Sequence, residues 1–354
     1  MRIIDRYIAN HVIWGTLLAL FVLTAVFSFI AFVDDLDAVG RGDYSLSKAV
    51  EYMLLTLPRR MFFLFPLAAL VGTLIGLGVL ASNLELSVLR ASGMSSMRIA
   101  VATMKAGLLL AVLAMLVGEL LAPFAERVAQ QRRSVAISDQ IALNTNYGFW
   151  VRDGSSFINI RTVLPGNRMG NVYIYEFDAE NRLRVATHAK QADYRDGEWY
   201  LHGIEQSEIL KDRVIRRSVN EAVWRSLFQP DLVNVVAVKP ESLSIFGLAR
   251  YVTYLRDNDL STARYELAFW NKIAYPMATL VMIFLALPLV LGRLRSVGVG
   301  QRIVVGALVG VAFHVINQVS GDLGLVYGLT PLISAFLPTL VFLGIGVVMM
   351  RRLA

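Results

Sequence analysis

Six long runs of hydrophobic residues dominate the pattern of this chain. Each run is long enough to cross a bilayer as a helix, because ~20 residues rising ~1.5 Å each span the hydrocarbon. The pattern therefore predicts an α-helical polytopic membrane protein with six transmembrane helices. The predicted spans cover 12–33, 61–81, 99–121, 268–291, 303–319 and 325–350.

The segment between the third and fourth spans has the pattern of short β-strands. Turn signals such as Asp196-Gly197 separate the strands, and aromatic residues such as Tyr173, Tyr175, Trp199 and Trp224 are available for an interior. Strands this short and evenly spaced favour an inserted β-jelly-roll-like domain. The candidate strands are 156–163, 172–178, 182–188, 198–204, 213–219 and 222–228.

Helices are predicted to join this β-domain to the membrane. A charged helix continues the third span over 125–138, and an amphipathic helix returns over 244–257. Ser261 can then cap the helix that enters span four. The predicted domains are 1–124 with spans one to three, 125–265 with the β-domain and its flanking helices, and 266–354 with spans four to six.

The segment 82–93, between spans two and three, has the pattern of a short helix outside the membrane. Ser82 is followed three residues later by Glu85, which fits a capping box. Gly93 can end the helix in a left-handed conformation.

Leu84, Val88 and Ala91 recur at helical spacing and give this short helix an apolar stripe. In a loop, such a stripe needs the membrane interface or a groove on another protein to cover it. The alternative is a capped turn that only joins two spans. The pattern by itself gives these interpretations about equal weight.

Composition and charge support a membrane protein with a defined orientation. Of 354 residues, 56% are hydrophobic and 17% charged, and the net charge of +7 arises from basic residues beside the spans rather than from a nucleic-acid surface. The N-terminal tail, the loops 82–98 and 292–302 and the C-terminus are rich in arginine. The positive-inside rule therefore predicts that both termini are cytoplasmic and that the large β-domain lies outside.

Motifs for catalysis and metal binding are missing from the sequence. There is no cysteine, no phosphate-binding loop and no hydrolase nucleophile motif, and the four histidines lack metal-ligand spacing. We predict no catalytic residue, no metal site and no cofactor held by this chain.

His314, Asn317 and Gln318 form one polar face on the otherwise apolar span five. Polar residues within spans commonly make hydrogen bonds between helices, and this interpretation carries most of the weight. They also line cavities, so the face is a candidate for a gate or a cavity wall.

Arginines cluster near the predicted outer ends of the first three spans. Their long side chains can reach lipid headgroups at the interface, or their guanidinium groups can bind phosphate in a bidentate manner. The sequence does not separate these roles. The arginines are Arg41, Arg59, Arg60, Arg132 and Arg133.

Short motifs that occur together are distributed over nearly the whole chain. They are Asp5-Arg6-Tyr7-Ile8, Phe65-Pro66-Leu67-Ala68-Ala69-Leu70, Gly118-Glu119, Ala122-Pro123, Arg293 to Ser296, and Leu325-Val326-Tyr327-Gly328 with Pro331. With these motifs the chain resembles the lipopolysaccharide export permease family, LptF/LptG, and its LptG branch in particular. In that family the segment matching 82–93 is a cytoplasmic coupling helix.

The resemblance implies a half-transporter of the ABC class in the bacterial inner membrane. It implies pairing with the paralogous permease LptF, and docking of two copies of the ATPase LptB, which bind the ATP and magnesium. Lipopolysaccharide would enter an outward-facing cavity from the outer leaflet. ATP-driven collapse of that cavity would pass the lipid to β-jelly-roll domains and the single-span partner LptC.

The resemblance also assigns roles to residues. Arg59 and Arg133 match basic family positions that are thought to contact substrate phosphates, and Arg41 can compensate for family lysines that are replaced here by Ala31, Asp37 and Ala38. The acidic residue that matches Glu85 contacts the ATPase. The coupling residues are Leu84, Glu85, Val88, Leu89, Arg90 and Gly93.

Two other classes of function are weighed against export. An ion-coupled secondary transporter needs a coupling-ion site, and the sequence has no mid-membrane carboxylate and no clear internal repeat. A membrane-embedded lipid-modifying enzyme needs a set of catalytic side chains. The best candidates in the sequence are His314 and Asp322, which lie eight residues apart on one helix with no nucleophile in evidence.

Overall fold

The computed structural model describes most of the chain. The motif 293–296, the turn signals 165–167 and 196–197, and the end of the predicted strand 222–228 lie outside the described residues. The described residues are 3–137, 149–153, 156–164, 168–178, 180, 182–195, 198–210, 212–224, 240–258, 260–292 and 297–352.

Six helical segments in these ranges are long and apolar enough to cross a membrane, which confirms the predicted number of spans. The helices are α1 (Ile3–Asp35), α2 (Leu46–Ser82), α3 (Glu85–Ala91), α4 (Ser96–Leu116), α5 (Ala122–Ile137), α6 (Ile245–Asp257), α7 (Ala263–Leu291), α8 (Val299–Tyr327) and α9 (Pro331–Arg351). The six spans are, in order, α1, α2, α4 together with α5, α7, α8 and α9.

The boundary between spans five and six differs from the prediction. Helix α8 continues to Tyr327 and ends at Gly328, whose φ of 67° is the left-handed conformation that stops a helix. Helix α9 then begins at Pro331, a residue suited to the first turn. The predicted start of span six at 325 was wrong, because the apolar run 325–327 belongs to α8.

Span two is the centre of the helix bundle, and glycines bring span one against it. A Cβ atom on Gly72 would lie 2.2 Å from the Cα of Thr16, and one on Gly76 would lie 2.3 Å from the carbonyl oxygen of His11. The small residues Gly72 and Gly76 therefore allow the two helices to approach closely.

The third span is one long helical segment with an interruption. Helices α4 and α5 are joined by a π-helical turn, Val117–Leu121, so the chain stays helical from Ser96 into the charged segment after Pro123. The predicted helical continuation of span three is confirmed. A π-helical turn inserts an extra residue into an α-helix, a feature frequently found at functional sites.

The inserted domain is built on one antiparallel sheet, which confirms the fold class of six spans with an inserted β-domain. Its described strands pair in the order β1-β2-β3-β4-β5-β6, a meander without the crossovers of a jelly roll. Strand β1 was not predicted, because five residues are too few to give a clear period of two. The strands are β1 (Phe149–Asp153), β2 (Ser156–Leu164), β3 (Arg168–Phe177), β4 (Leu183–Arg195), β5 (Glu198–Ile209) and β6 (Val214–Trp224).

The predicted break between strands 213–219 and 222–228 was wrong. Residues 214–224 form the single strand β6, which pairs with β5 along its length. Val219 pairs with Ile204 and Glu221 with His202, so the pairing continues through the expected break, where no glycine or proline stands.

One face of the sheet packs on the returning helix α6. Trp199 is fully buried there, as predicted for an interior aromatic residue, and Tyr251 and Leu255 of α6 join the same core. Ser244 caps α6 by accepting a hydrogen bond from the backbone N–H of Gly247 at 3.1 Å, which confirms the predicted helix start. Ser261 does not cap α7, whose flanking residue Thr262 is already helical in its dihedral angles.

The helix ends form two groups at opposite ends of the bundle. Tyr7 contacts Glu85, so the beginning of span one lies beside the segment that joins spans two and three. At the other end, Arg133 contacts Asp35, and Glu119 contacts the first residue of α6, Ile245. The β-domain is therefore attached to the end opposite the short helix α3.

We expect Gly72→Ala to lower the stability of the purified chain in mild detergent. The added methyl group meets backbone atoms of span one, and overpacking of this kind costs typically ~1–3 kcal/mol. Gly344→Ala is the matched control, since nothing lies within 4 Å of a Cβ at that position. Thermal unfolding checks the pair, and equal midpoints for both variants would contradict the close contact.

Candidate functional site

The short helix α3 begins without the predicted capping box. The hydroxyl of Ser82 donates to the carbonyl oxygens of Gly78 and Val79, both at 3.0 Å, so it stays bonded within α2. The residue that turns the chain into α3 is Leu84, which has a positive φ of 62°. The capping-box prediction was wrong because Ser82 completes the last turn of span two instead.

The end of α3 follows the prediction for Gly93. Its φ is 89°, its N–H donates to the carbonyl of Arg90, and the N–H of Met94 donates to the carbonyl of Leu89, both at 3.1 Å. This pair of bonds is the Schellman motif. Gly93 therefore fixes the end of α3 and supplies no side chain to a partner.

Helix α3 has one anchored side and one open side. Leu86 is 4% exposed and belongs to the main apolar core, and Leu89 packs against that core. Leu84 and Val88 are 62% and 64% exposed. The predicted apolar stripe is thus present and left uncovered by the described chain, whereas Leu89 acts as an anchor rather than as a contact surface.

Glu85 is held at the start of α3 by two hydrogen bonds. The hydroxyl of Tyr7 donates to its Oε2 at 2.8 Å, and Asn83 Nδ2 donates to its Oε1 at 3.3 Å. The bond to Tyr7 ties α3 to the first turns of span one. Sequence reasoning missed Tyr7, since nothing local in the sequence links two residues 78 positions apart.

A buried arginine joins span five to span two at this same end. Arg302 is almost fully buried and donates from Nη1 to the carbonyl oxygen of Gly78 at 2.5 Å. A Cβ on Gly78 would lie 2.5 Å from that nitrogen, so the contact requires glycine. From sequence, Arg302 counted only as a charge that sets orientation.

At the opposite end, spans one, two, four and five enclose a cavity of about 400 Å³. Its walls are largely apolar, and two guanidinium groups, a histidine and two tyrosines supply the polar atoms. This combination is typical of a ligand site, in which a few polar groups orient a mainly apolar ligand. The lining residues include Phe27, Thr56, Arg59, Arg60, Phe63, Leu67, Tyr275, Phe313 and His314.

Arg59 lines this cavity while paired with a buried carboxylate. Its Nη1 lies 3.1 Å from Oε1 of Glu126, whose side chain is 1% exposed, and Gln130 donates to the same oxygen at 2.9 Å. Arg60 makes a longer hydrogen bond, 3.4 Å, to the carbonyl oxygen of Phe27. Two adjacent arginines therefore face one cavity, one held by an acid and the other by a backbone carbonyl.

Arg133 lies in a second cluster nearby. Its Nη2 is 2.8 Å from Oδ1 of Asp35, and its guanidinium group stands over the rings of Tyr44 and Tyr52. Burial and the hydrogen bond that Tyr44 donates to Asp35 raise the pKa of this tyrosine to about 12. Tyr44 consequently stays protonated at physiological pH and holds Asp35 towards Arg133.

The remaining predicted arginines are less enclosed. Arg132 pairs with Glu51 and lines a cavity of about 440 Å³ together with Arg133 and Lys48. Arg41 lies in the turn between spans one and two with its side chain exposed. The structure thus brings Arg59 with Arg60, and Arg132 with Arg133, and leaves Arg41 apart. The acidic partners Asp35, Glu51 and Glu126 were not predicted.

The predicted polar face of span five divides between two roles. Asn317 donates to the hydroxyl of Tyr275 at 3.3 Å, which is an interhelical hydrogen bond. His314 lines the cavity beside Arg59 and Arg60. Gln318 is exposed on the surface of the isolated chain. Both interpretations of this face therefore apply, each to a different residue.

The described part of the chain does not bring together side chains that could hold a metal ion. No group of three or more histidine, cysteine, aspartate and glutamate side chains converges there. His314 and Asp322 lie on the same helix, α8, two turns apart. The geometry is that of a largely apolar cavity at one end of the bundle and exposed apolar side chains on α3 at the other.

Comparison with known proteins places the chain among export permeases. A family model described as lipopolysaccharide export system permease LptF/LptG matches residues 6–352. The chain is 37% identical to the lipopolysaccharide export system permease protein LptG of Haemophilus influenzae over 342 residues, 96% of each protein. It is also 37% identical to the LptG of Escherichia coli strain K12 over 354 residues, 99% of this chain and 98% of that protein.

We expect Arg59→Met to destabilise the fold, because it leaves the carboxylate of Glu126 buried without its cation. Breaking a buried pair costs ~3–5 kcal/mol, and partial exposure of Arg59 reduces this to about 1–3 kcal/mol. A double-mutant cycle with Glu126→Met, followed by unfolding in mild detergent, should give a coupling of at least ~1 kcal/mol.

The exposed pair Arg184 and Glu176 on the sheet is the matched control, with a similar separation of 3.2 Å. Its cycle should give less than about 1 kcal/mol, because solvent screens exposed pairs. Equal couplings for the two pairs would show that Glu126 is not buried as described.

Proposed function

We propose that this chain is a permease subunit that moves lipopolysaccharide out of the inner membrane. The chain belongs to the lipopolysaccharide export system permease LptF/LptG family. Members of this family are transporters rather than enzymes. In this function the chain binds, orients and releases the lipid, and no covalent bond of the lipid changes.

The main support for this proposal is that two features lie at opposite ends of the same bundle. One is the largely apolar cavity with its arginines, and the other is the docking surface, which consists of the exposed side of α3 with Leu84, Glu85 and Val88. The cavity offers apolar walls for acyl chains and arginines for phosphate groups, which form bidentate, charge-assisted hydrogen bonds with guanidinium. A lipid with anionic headgroups and several acyl chains needs both features. The docking surface lies where a partner outside the membrane can reach it.

The size of the cavity indicates how much of the lipid one chain can hold. About 400 Å³ is near the lower end for ligand pockets, so it suits a phosphate-bearing headgroup portion or part of an acyl chain. The rest of the lipid requires a second surface. We assign that surface to a second permease of the same family, LptF, which would face the exposed sides of spans one and five.

Energy for transport would come from a separate ATPase, LptB, bound to α3. The exposed side chains of Leu84 and Val88 would enter a groove on that protein, and the carboxylate of Glu85 would contact it at the rim. Helix α3 is anchored through Leu86 and through the hydrogen bond between Glu85 and Tyr7. A displacement of α3 would therefore be transmitted to spans one and two. The ATP and magnesium stay on the ATPase.

The positive-inside rule gives the orientation of this arrangement. The arginine-rich ends, with α3 and both termini, would face the cytoplasm, and the β-domain would lie in the periplasm. The cavity arginines would then meet the outer leaflet. From there the lipid would pass along the β-domain to the single-span partner LptC.

We expect Glu85→Ala to reduce both recovery of the ATPase with the complex and export of lipopolysaccharide, because it removes a carboxylate from the docking surface. Affinity purification in mild detergent and an export assay measure the two effects. A loss of about five-fold or more in ATPase recovery corresponds to ~1 kcal/mol, a usual contribution for a hydrogen bond at an interface.

Tyr7→Phe is the matched control for this variant. It removes the same intramolecular hydrogen bond to Glu85 but keeps the carboxylate. Normal recovery with Tyr7→Phe and reduced recovery with Glu85→Ala would assign the effect to partner contact. Equal losses would mean that Glu85 only holds α3 in place, and normal recovery with both would remove Glu85 from the docking surface.

Leu64 also lines the cavity and can carry a photocrosslinking probe. We expect Arg59→Gln with Arg60→Gln to reduce photocrosslinking of lipopolysaccharide from a probe at Leu64 about ten-fold, because two cationic donors to phosphate are lost. Arg41→Gln should leave the crosslinking unchanged, since Arg41 lies away from the cavity. Unchanged crosslinking in the double variant, with the purified protein still folded, would overturn the assignment of this cavity to the lipid.

A further inference from the structure

Two charged side chains inside the membrane bundle have no part in the proposed binding site. Lys272 of α7 is 5% exposed and donates from Nζ to the carbonyl oxygen of Gly118 at 2.7 Å. Gly118 lies in the π-helical turn of the third span, where α-helical bonding is interrupted. The lysine therefore fastens span four to this turn.

The next residue of the π-helical turn, Glu119, fastens the third span to the β-domain. Its Oε1 accepts a hydrogen bond from the backbone N–H of Ile245, the first residue of α6, at 2.7 Å. A carboxylate is favourable there, because the first N–H groups of a helix lack partners and carry partial positive charge. The second oxygen, Oε2, is buried without a hydrogen-bond partner.

Helix α6 in turn packs against the sheet, so it connects Glu119 to the β-domain. Tyr251 and Leu255 of α6 pack in one core with Trp199 and Val172 of the strands. Movement of the start of α6 is consequently movement of the sheet. Glu119 is the residue of the third span that holds this start.

On the other side, the same turn touches the wall of the cavity. A Cβ on Gly118 would lie 2.3 Å from the ring of Phe62, and Lys272 stands 5.4 Å from the centre of that ring. Phe62 packs against Tyr275, which lines the cavity and accepts the hydrogen bond from Asn317 of span five. Direct contacts therefore run from the cavity wall through the π-helical turn to α6.

Stability alone does not explain these charges. Burying a carboxylate and an ammonium group is expensive, and apolar residues of similar size often stabilise a core as well or better. Two charges that each hold a backbone group of a different segment instead fix the geometry of a junction. The junction joins spans two, three and four to the β-domain.

We propose that Glu119 is a positioning residue for lipid transfer, which keeps α6 and the β-domain in register with the cavity wall while the cavity collapses. The inference rests on the proposed function and adds a step to it. Loading of the cavity needs only the cavity residues. Delivery from the cavity to the sheet needs the sheet to follow the moving wall, and Glu119 supplies that link.

The test separates loading from delivery in the complex purified from native membranes and reconstituted with lipopolysaccharide. A photocrosslinking probe at Leu64 reports loading, and a probe at Tyr175, on the sheet face opposite α6, reports delivery after ATP is added. We expect Glu119→Met, which removes the oxygen that accepts from Ile245, to leave the Leu64 signal unchanged and to reduce the Tyr175 signal at least about five-fold. Lys272→Met, a second variant of similar shape, should show the same split.

A matched control removes a different carboxylate that also contacts α6. Glu266 of α7 pairs with Arg256 of α6 at 3.1 Å on the exposed side of the junction. Glu266→Gln should change neither signal. Because the chain has no cysteine, spin labels on Leu120→Cys and Thr253→Cys can also report the separation of the third span and α6. Glu119→Met should broaden that distance distribution when the ATPase is trapped with nucleotide.

The possible outcomes are distinguishable. Normal delivery and an unchanged distance distribution in folded Glu119→Met overturn the inference and leave the proposed function intact. An equal loss of loading and delivery also overturns it, because Glu119 would then only stabilise the fold. If the unmodified complex shows no lipid at Leu64, the proposed function itself fails, and the inference fails with it.

Discussion

Buried cationic side chains of the helix bundle are paired with groups on other helices, and this constraint governs the structure. No water is present in the hydrocarbon region, so an unpartnered charge or backbone group there costs several kcal/mol. Arg302 donates a hydrogen bond to a carbonyl oxygen of span two, and Lys272 donates to a carbonyl oxygen of the third span. Arg59 donates to a buried carboxylate. The main apolar core of the bundle is built mostly of leucine and alanine. Function is consequently concentrated at the two ends.

How far sequence alone reaches depends on the range of each interaction. The number of spans, the inserted β-domain and the left-handed stop at Gly93 follow from local patterns, and the structure agrees. Ser82 fitted a helix start equally well in sequence, yet its hydroxyl is satisfied by the helix before it. The partner of Arg59 lies 67 positions away and that of Arg133 lies 98 away, so no local pattern could have revealed them.

The acidic partners of Arg59 and Arg133 affect how strongly these arginines can bind a phosphate group. In this structure Arg59 and Arg133 are held by Glu126 and Asp35, so a phosphate group that binds must replace or share an existing ion pair. The net gain from each contact is then smaller than for an unpaired arginine. A carrier benefits from this balance, because a lipid that is held too strongly cannot be released. The pair with Glu126 also holds the guanidinium group of Arg59 at the wall of the cavity that it lines with Arg60.

The π-helical turn in the third span sets the rotational phase of everything that follows it. One residue of an α-helix corresponds to ~100° around the axis, so the extra residue carried by Val117–Leu121 turns the whole of α5 by that angle relative to α4. Glu126 and Arg133 meet their partners on spans one and two only in this phase. An uninterrupted α-helix over the same residues would turn Glu126 and Arg133 away from these partners. The length of this turn is therefore as much a determinant of the site as the identity of its side chains.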